Sequence, residues 1–226
     1  MHDYQQEFIR LALARNALRF GEFTLKSGRI SPYFFNAGAF DDGASLAVLG
    51  RCYAAAIAGS GVPFDMLFGP AYKGIPLVAV AAAALHSEHG LNYPWAFNRK
   101  EAKDHGEGGS IVGRRLSGRV LIIDDVVTAG TSVNHAVGLI RAAGAVPAGV
   151  TVALDRQERG PGGGSAIEAL EQQHGLRVIS VITLDQLVQF LEERDGAGEA
   201  LSAIRRYREE YGAPAGSADP RGTAGV

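Results

Sequence analysis

The sequence predicts an α/β fold with a mainly parallel central sheet flanked by helices. Short apolar runs of strand length alternate along the chain with longer segments in which apolar residues recur at helical spacing. Several of these runs end abruptly in charged or polar residues, as strands do at the carboxyl edge of a parallel sheet. With 226 residues, of which 46% are hydrophobic and 20% charged, the chain is long enough for one such domain with a sizeable core.

The predicted elements follow one another in a regular order. A helical pattern occupies residues 3–19, and an irregular to strand-like stretch follows over 23–40. Further helices are predicted over 44–59 and 185–193. Three more are predicted with only one position fixed: one begins at 75, one ends at 143, and one follows shortly after the glycines of 160–164. Strands are predicted over 64–69, 93–98, 110–116, 120–123, 149–154 and 177–183. From residue 213 the tail is small and polar, and we expect it to be disordered.

Composition and charge exclude several classes of function. The net charge is −2, from 22 basic and 24 acidic residues, so nucleic acid and membrane partners are not expected. The one cysteine, Cys52, allows no intrachain disulfide and favours a reducing compartment. The N-terminus does not resemble a signal peptide, and the longest apolar stretch, 74–85, is too short to span a bilayer. These features predict a cytoplasmic enzyme.

The most informative motif is the run 120–132. An apolar strand ends in Asp124 and Asp125, and a loop of small hydroxyl residues and glycine then leads into a helix. Free backbone N–H groups and the positive end of the helix dipole suit a phosphate at this point. The two carboxylates would repel that phosphate, so we expect them to reach ribose hydroxyls or a cation bound to the ligand. The run therefore predicts a site for a phosphorylated ribose.

This run resembles the phosphoribosyl pyrophosphate (PRPP) motif of the type I phosphoribosyltransferases. The resemblance implies the type I phosphoribosyltransferase fold, with acids on the ribose hydroxyls and the loop around the 5-phosphate. The residues assigned to PRPP in this way are Asp124, Asp125, Val126, Val127, Thr128, Ala129, Gly130, Thr131 and Ser132.

Two other stretches match the pyrophosphate side of that family. Tyr72 and Lys73 follow a strand and precede a helix, and they resemble the family's pyrophosphate loop. The polar loop 99–109 is rich in cations and glycine, and it resembles the family's flexible catalytic lid. The matching lid residues are Arg99, Lys100, Lys103 and His105. We expect the catalytic effects to come from Lys103, Asp125, His105 and Lys73.

The acceptor base is indicated by the segment 23–36, which resembles the N-terminal segment of the bacterial orotate phosphoribosyltransferases. By this resemblance Lys26 would contact both PRPP and orotate, and Phe34 and Phe35 would contact orotate. Ordinary core packing is the alternative interpretation of the two aromatic residues. Thr128 lies between the ribose site and the base, so we expect it to contact orotate too.

Arg156 follows a strand and matches the family position that binds the orotate carboxylate. A guanidinium suits bidentate capture of a planar carboxylate. The alternative is a structural ion pair between Arg156 and Asp155 or Glu158. The group His86, Glu88 and His89 has no further convergent ligand in the sequence and is interpreted as a solvated helix end, so no metal site built from protein ligands is predicted.

The resemblance implies that the chain converts orotate and PRPP to orotidine 5′-monophosphate and pyrophosphate. Mg²⁺ is expected on PRPP oxygens and water, since Mg²⁺ usually keeps such ligands. The family pattern further implies one domain over 1–212 with a hood over 1–40, and a homodimer that shares the lid across its interface. Two alternatives remain: a phosphoribosyltransferase that uses a purine, and a PRPP-binding regulator without turnover.

Overall fold

The computed structural model describes residues 1–25, 27–103, 109–127, 130–160, 163–194 and 196–213. The helices are α1 (Asp3–Ala14), α2 (Gly43–Gly59), α3 (Gly74–His89), α4 (Thr131–Ala142), α5 (Ala166–His174), α6 (Leu184–Glu192) and α7 (Gly198–Tyr211). The strands are β1 (Leu18–Thr24), β2 (Ile30–Phe35), β3 (Met66–Gly69), β4 (Trp95–Lys103), β5 (Gly109–Gly113), β6 (Arg119–Ile123), β7 (Val146–Asp155) and β8 (Arg177–Thr183).

The central sheet has the strand order β5-β4-β3-β6-β7-β8, and every neighbouring pair except β4 with β5 is parallel. The predicted α/β class and mainly parallel sheet are therefore confirmed. The carboxyl ends of β3, β4, β6, β7 and β8 lie along one edge, where ligands bind in sheets of this kind.

Helices cover both faces of the sheet. Successive strand residues point to opposite faces, so Leu121 belongs to one core and Ile122 to the other. The first core joins the sheet to α1, α2 and α3, with residues of α6 and α7 at its margin. The second core joins it to α4 and α5. No helix among the described residues is long and apolar enough to cross a membrane.

The N-terminal region differs from the predicted pattern. Helix α1 ends at Ala14 rather than near residue 19, because Asn16 takes a left-handed backbone conformation with φ of 54°. The chain then enters β1, which forms an antiparallel hairpin with β2. This hairpin lies against α1 and α7 and stands apart from the central sheet.

The predicted lid loop is shorter than expected. Residues 99–103 belong to β4, and β5 begins at Gly109, which pairs with Lys103. The loop prediction was therefore wrong for 99–103 and for Gly109, because pairing between the two strands supplies backbone hydrogen-bond partners to this segment. Residues 104–108, including His105, lie outside the described residues.

Candidate active site

The paired acids lie where β6 ends, at the carboxyl edge of the sheet. Asp124 and Asp125 are 5% and 7% exposed. The Asp124 N–H donates to the carbonyl of Thr151 at 2.9 Å, and the Ala153 N–H donates to the carbonyl of Asp125 at 2.8 Å. Strand-like pairing with β7 therefore continues beyond the end of β6 and holds the backbone of both acids in place.

Asp124 is surrounded by protein groups. The hydroxyl of Tyr53, a fully buried residue of α2, donates to the Asp124 carbonyl oxygen at 2.8 Å. The Asp125 N–H donates to Asp124 Oδ1 at 3.0 Å, and the Ser132 side chain forms a further hydrogen bond with this carboxyl. Burial, followed by the negative charge of Asp125, raises the pKa of Asp124 to about 6. Ionising Asp124 is therefore costly without a ligand.

Asp125 has a cation beside it. Lys73 Nζ donates to Asp125 Oδ2 at 2.6 Å, and the Val126 N–H donates to Oδ1 at 2.9 Å. The Lys73 side chain is 56% exposed, whereas that of Asp125 is 9% exposed. The ammonium can therefore be reached from the solvent-filled edge, where a polyanionic ligand would compete with Asp125 for it.

The loop between β3 and α3 is held tightly because it begins and ends in glycine. A Cβ on Gly69 would lie 2.2 Å from the carbonyl oxygen of Gly74. A Cβ on Gly74 would lie 2.6 Å from Pro70 Cδ and 2.8 Å from the carbonyl oxygen of Ile123. These contacts exclude a side chain at both positions. The loop thereby brings Lys73 against Asp125 at the end of β6.

A buried amide on the neighbouring strand anchors the same loop. Asn98 of β4 is 2% exposed, and its Oδ1 accepts the N–H of Ala71 at 2.9 Å. Its Nδ2 donates to the carbonyl of Arg99 at 3.2 Å. The sequence analysis did not select Asn98. Its position as the one polar residue at the end of a predicted apolar strand is the signal that would have identified it.

The cations of β4 approach the loop from that side. Lys100 Nζ lies 4.5 Å from the ring centroid of Tyr72, which is 66% exposed. Arg99, half-buried, precedes it on the same strand. The structure therefore brings Tyr72, Lys73 and Lys100 together at one end of the edge. The side chains of Lys103 and His105 lie outside the described residues.

The N-terminus of α4 lies beside the acids. Gly130 precedes the helix with φ of 69°, and Thr131 and Ser132 occupy its exposed first turn. Val126 and Val127 are half-buried, and Thr128 and Ala129 lie outside the described residues. The first turn of this 12-residue helix has backbone donors and a positive dipole end, which suit a phosphate.

Arg156 follows the last residue of β7, one strand away from the acids. Its Nε donates to Oε1 of Glu158 at 2.8 Å, and its Nη2 forms an ion pair with the same oxygen at 2.5 Å. Nη2 also donates to Ser31 Oγ at 3.1 Å. Its guanidinium carbon lies 4.4 Å from the centroid of the Tyr33 ring. The ion pair with Glu158 is therefore present, and the binding of orotate by Arg156 stays a prediction. Asp155 instead accepts the Gln157 N–H at 2.8 Å.

The two adjacent aromatic residues do not form a single stacking surface. Phe35 is 9% exposed and packs in the core, 6.1 Å from Phe8 between ring centroids, so the core-packing alternative is right for its ring. Phe34 points to the other side of the hairpin, where its ring lies 5.5 Å from that of Phe23. Only their backbone can face one ligand together. Lys26 lies outside the described residues.

The described residues contain no group of three or more His, Cys, Asp or Glu side chains able to hold a metal ion. At the candidate site the carboxylates are Asp124 and Asp125, one of them largely enclosed and the other paired with Lys73. This donor set suits a cation that arrives already bound to a polyanion.

Comparison with known proteins identifies similar sequences and a similar fold. Residues 41–161 match the family model described as a phosphoribosyl transferase domain. The chain is 61% identical over 212 residues to the orotate phosphoribosyltransferase of Thioalkalivibrio sulfidiphilus, a match that covers 94% of this chain and all of that protein. It is 58% identical, over the same shares of both chains, to the orotate phosphoribosyltransferase of Pseudomonas putida. The crystal structure of orotate phosphoribosyltransferase from Francisella tularensis superposes with a TM-score of 0.81 at 42% identity, covering 91% of this chain and 98% of that one.

Proposed function

The chain belongs to the phosphoribosyltransferases and, among them, to the orotate phosphoribosyltransferases, and from this membership we propose that it transfers the 5-phosphoribosyl group of PRPP to orotate. The products are orotidine 5′-monophosphate and pyrophosphate, and the reaction is a step of pyrimidine biosynthesis.

One observation in the structure supports this proposal most directly. The acid pair and the N-terminus of α4 follow β6, and the buried guanidinium of Arg156 follows β7, the strand that pairs with β6. Groups suited to a ribose phosphate and a group suited to a planar carboxylate therefore lie next to each other on one edge. A purine has no carboxylate for Arg156 to bind, so the arrangement favours orotate.

The chemistry follows from where charge develops. Breaking the bond between C1 of the ribose and the pyrophosphate oxygen leaves positive charge on the sugar and negative charge on pyrophosphate. N1 of orotate forms the new bond to C1 from the opposite face, so no protein nucleophile is required. The contribution of the protein is positioning and electrostatic stabilisation. Asp124 and Asp125 hold the ribose hydroxyls and stabilise the developing positive charge.

The negative charge of the departing pyrophosphate is neutralised beside the loop between β3 and α3. Tyr72, Lys73 and Lys100 lie beside the pyrophosphate of their own subunit in this proposal. Arg99, Lys103 and His105 are assigned to it from the lid by family resemblance. The donor substrate is the Mg²⁺ complex of PRPP, in which the cation takes its ligands from PRPP oxygens and water. As the incoming polyanion draws Lys73 away from Asp125, that carboxylate becomes available to the ribose.

Arg156 and, through backbone N–H groups, Phe34 and Phe35 hold orotate, together with Lys26 and Thr128. We further propose that the enzyme is a cytoplasmic homodimer in which the lid, residues 99–109, closes over the partner's site. Closure excludes water, which would otherwise hydrolyse PRPP.

The proposal is tested by following the absorbance of orotate with purified protein, PRPP and Mg²⁺. We expect orotate to be consumed only when both PRPP and Mg²⁺ are present, with one pyrophosphate formed per orotate lost. Adenine, guanine and hypoxanthine are tested in parallel. Consumption of a purine in place of orotate would identify a purine enzyme, and PRPP binding without consumption of any base would identify a regulator.

A further inference from the structure

We propose that Glu158 is a positioning residue that fixes the guanidinium of Arg156 in the orientation required for the carboxylate of orotate. This inference rests on the function proposed above and assigns the specificity of that site to a group that does not itself touch the substrate.

A single oxygen of Glu158 determines the orientation of Arg156. Oε1 accepts a hydrogen bond from Nε at 2.8 Å and forms an ion pair with Nη2 at 2.5 Å. Ser31 Oγ accepts a hydrogen bond from Nη2 at 3.1 Å. Because Ser31 is fully buried in β2 and bonded to the carbonyl of Tyr33 at 2.7 Å, it is itself fixed in position. Two edges of the guanidinium are thus defined by groups on separate elements.

The plane of the guanidinium is defined by an aromatic ring. Tyr33 is fully buried, and its ring centroid lies 4.4 Å from the guanidinium carbon of Arg156. A cation over a ring face is favourable, and the contact prevents the guanidinium from tilting. The side chain of Arg156 is 12% exposed, so little of it remains available to a ligand. The exposed part of the guanidinium must therefore be oriented toward the ligand if it is to bind a carboxylate.

Glu158 is itself held in position by contacts of its backbone and of its side chain. Its backbone forms a bridge with Gly212 after α7, and the neighbouring carbonyl of Gln157 accepts the Ala213 N–H at 2.8 Å. The side chain of Glu158 is 17% exposed, and its Oε2 lies 3.9 Å from Nη1 of Arg29. Arg29, Arg156 and Glu158 together leave one positive charge, which matches the single carboxylate of orotate.

This arrangement explains how a flexible side chain becomes a specific receptor. An arginine loses considerable rotamer freedom when it is immobilised, and binding is weaker if the ligand must bring about that ordering. Here Glu158, Ser31 and Tyr33 have ordered the guanidinium before orotate arrives. Removing the support should therefore weaken the binding of orotate and leave PRPP binding and the chemical step largely intact.

The test compares Glu158→Ala with Glu158→Gln in the full chain, using steady-state kinetics with each substrate varied. The wild-type enzyme is measured first, since absence of turnover there would refute the proposed function rather than this inference. We expect Glu158→Ala to raise KM for orotate about tenfold or more, as loss of hydrogen bonds to a charged group does. We expect the KM for PRPP and kcat to change less than about threefold, because neither depends on this hydrogen bond.

The conservative variant distinguishes positioning from charge. The amide oxygen of Glu158→Gln can accept the hydrogen bond from Nε as Oε1 does, so we expect its KM for orotate to return to within about threefold of wild type. Glu7→Gln on α1, which alters an exposed ion pair with Arg51 on α2, is the matched control and should leave all constants unchanged.

Three results would overturn the inference: an unchanged KM for orotate in Glu158→Ala, equal effects on orotate and PRPP, or no recovery in Glu158→Gln. If Glu158→Ala does not fold, Ser31→Ala removes one hydrogen bond from the same Nη2 and provides a second measurement. Its KM for orotate should rise selectively by severalfold, and a selective rise in KM for PRPP or an unchanged KM for orotate would contradict the proposal.

Discussion

At the scale of single residues, the two adjacent acids occupy different environments. Asp124 is enclosed by Tyr53, Ser132 and the backbone of Asp125, and no cation contacts it among the described residues. Asp125 contacts the ammonium of Lys73 at 2.6 Å. Asp124 is therefore held by uncharged groups, whereas Asp125 is held by the ammonium of Lys73, which a polyanionic ligand can attract away.

The first prediction concerns Asp124. Burial raises its pKa to about 6, whereas an unfolded aspartate has a pKa near ~3.9. Folding therefore favours the protonated form, and this stabilisation is fully present below ~pH 3.9 and is lost as pH rises through the folded pKa. Each pKa unit corresponds to ~1.4 kcal/mol. We expect Asp124→Asn, which is uncharged at every pH, to raise the free energy of unfolding by up to ~3 kcal/mol over wild type at pH 8, and by much less at pH 4.

Urea unfolding of both proteins between pH 4 and pH 8 measures this difference. Asp41→Asn is the control, because Asp41 is exposed and its replacement should have only a small effect on stability. A difference between Asp124→Asn and wild type that stays constant over this range would contradict the prediction.

The second prediction concerns Lys103, the last residue of β4. If this lysine stabilises negative charge on the departing pyrophosphate, Lys103→Ala should lower kcat by ~10²–10³ with little change in substrate binding. Initial-rate measurements with both substrates test this. Arg115→Ala removes an exposed cation from the loop after β5, at the opposite edge of the sheet, and should leave kcat unchanged. An increase in KM alone for Lys103→Ala would refute the catalytic role.

The residues found from the sequence are those that stand beside the end of a strand. Asp124, Asp125 and Arg156 could be selected in this way because the carboxyl edge of a parallel sheet is where ligands bind. Asn98, at the end of a predicted strand, carried the same signal but was not selected. Ser31 was missed because its partner is distant in the chain. Ser31 contacts Arg156 across 125 positions, and no local pattern encodes such a contact.

At the scale of elements, the loop between β3 and α3 depends on close backbone approach. The third prediction is that Gly74→Ala lowers the free energy of unfolding by ~1–3 kcal/mol, since its Cβ would overlap two fixed groups. These are Pro70 Cδ at 2.6 Å and the carbonyl oxygen of Ile123 at 2.8 Å. Because the displaced loop carries Tyr72 and Lys73, KM for PRPP should rise as well.

The matched control is Gly138→Ala in the interior of α4, where a Cβ would meet nothing within 4 Å. That change should instead stabilise the protein by ~0.5–1 kcal/mol, because alanine favours the helix. Thermal and urea unfolding compare the two variants. Equal stability of Gly74→Ala and wild type would show that the loop is not held by this contact.

Element boundaries were harder to predict than element types. The strand predicted over 177–183 coincides with β8, and the helix predicted over 44–59 differs from α2 by one residue. Ala17 and Leu18 continue the helical spacing of α1, so the turn at Asn16 and the start of β1 were missed. Helix α7 was not predicted because only Ile204 and Tyr207 of its residues are buried, which leaves a weak apolar pattern.

At the scale of the whole molecule, the C-terminal segment packs beside Arg156, the residue proposed to bind orotate. Helix α7 packs against β2, where the Tyr207 ring lies 6.4 Å from that of Tyr33. Residues beyond the helix pair with Gln157 and Glu158. The hairpin, the end of β7 and the last helix therefore form one unit around Arg156, so changes in α7 should affect orotate more than PRPP.

The last prediction concerns the dimer and tests whether each lid completes the partner's site. Arg99→Ala/Lys103→Ala removes two cations of the proposed lid, and Asp125→Asn removes one of the paired carboxylates; each homodimer should be nearly inactive. In a heterodimer with a shared lid, one site has both an intact Asp125 and an intact lid, whereas the other site lacks both. Equal random mixing makes half of the dimers heterodimers, so co-expression of the two variants with different affinity tags should restore about a quarter of wild-type activity. If each lid closes over its own subunit, no site is intact, and the purified heterodimer should be no more active than the two parent variants.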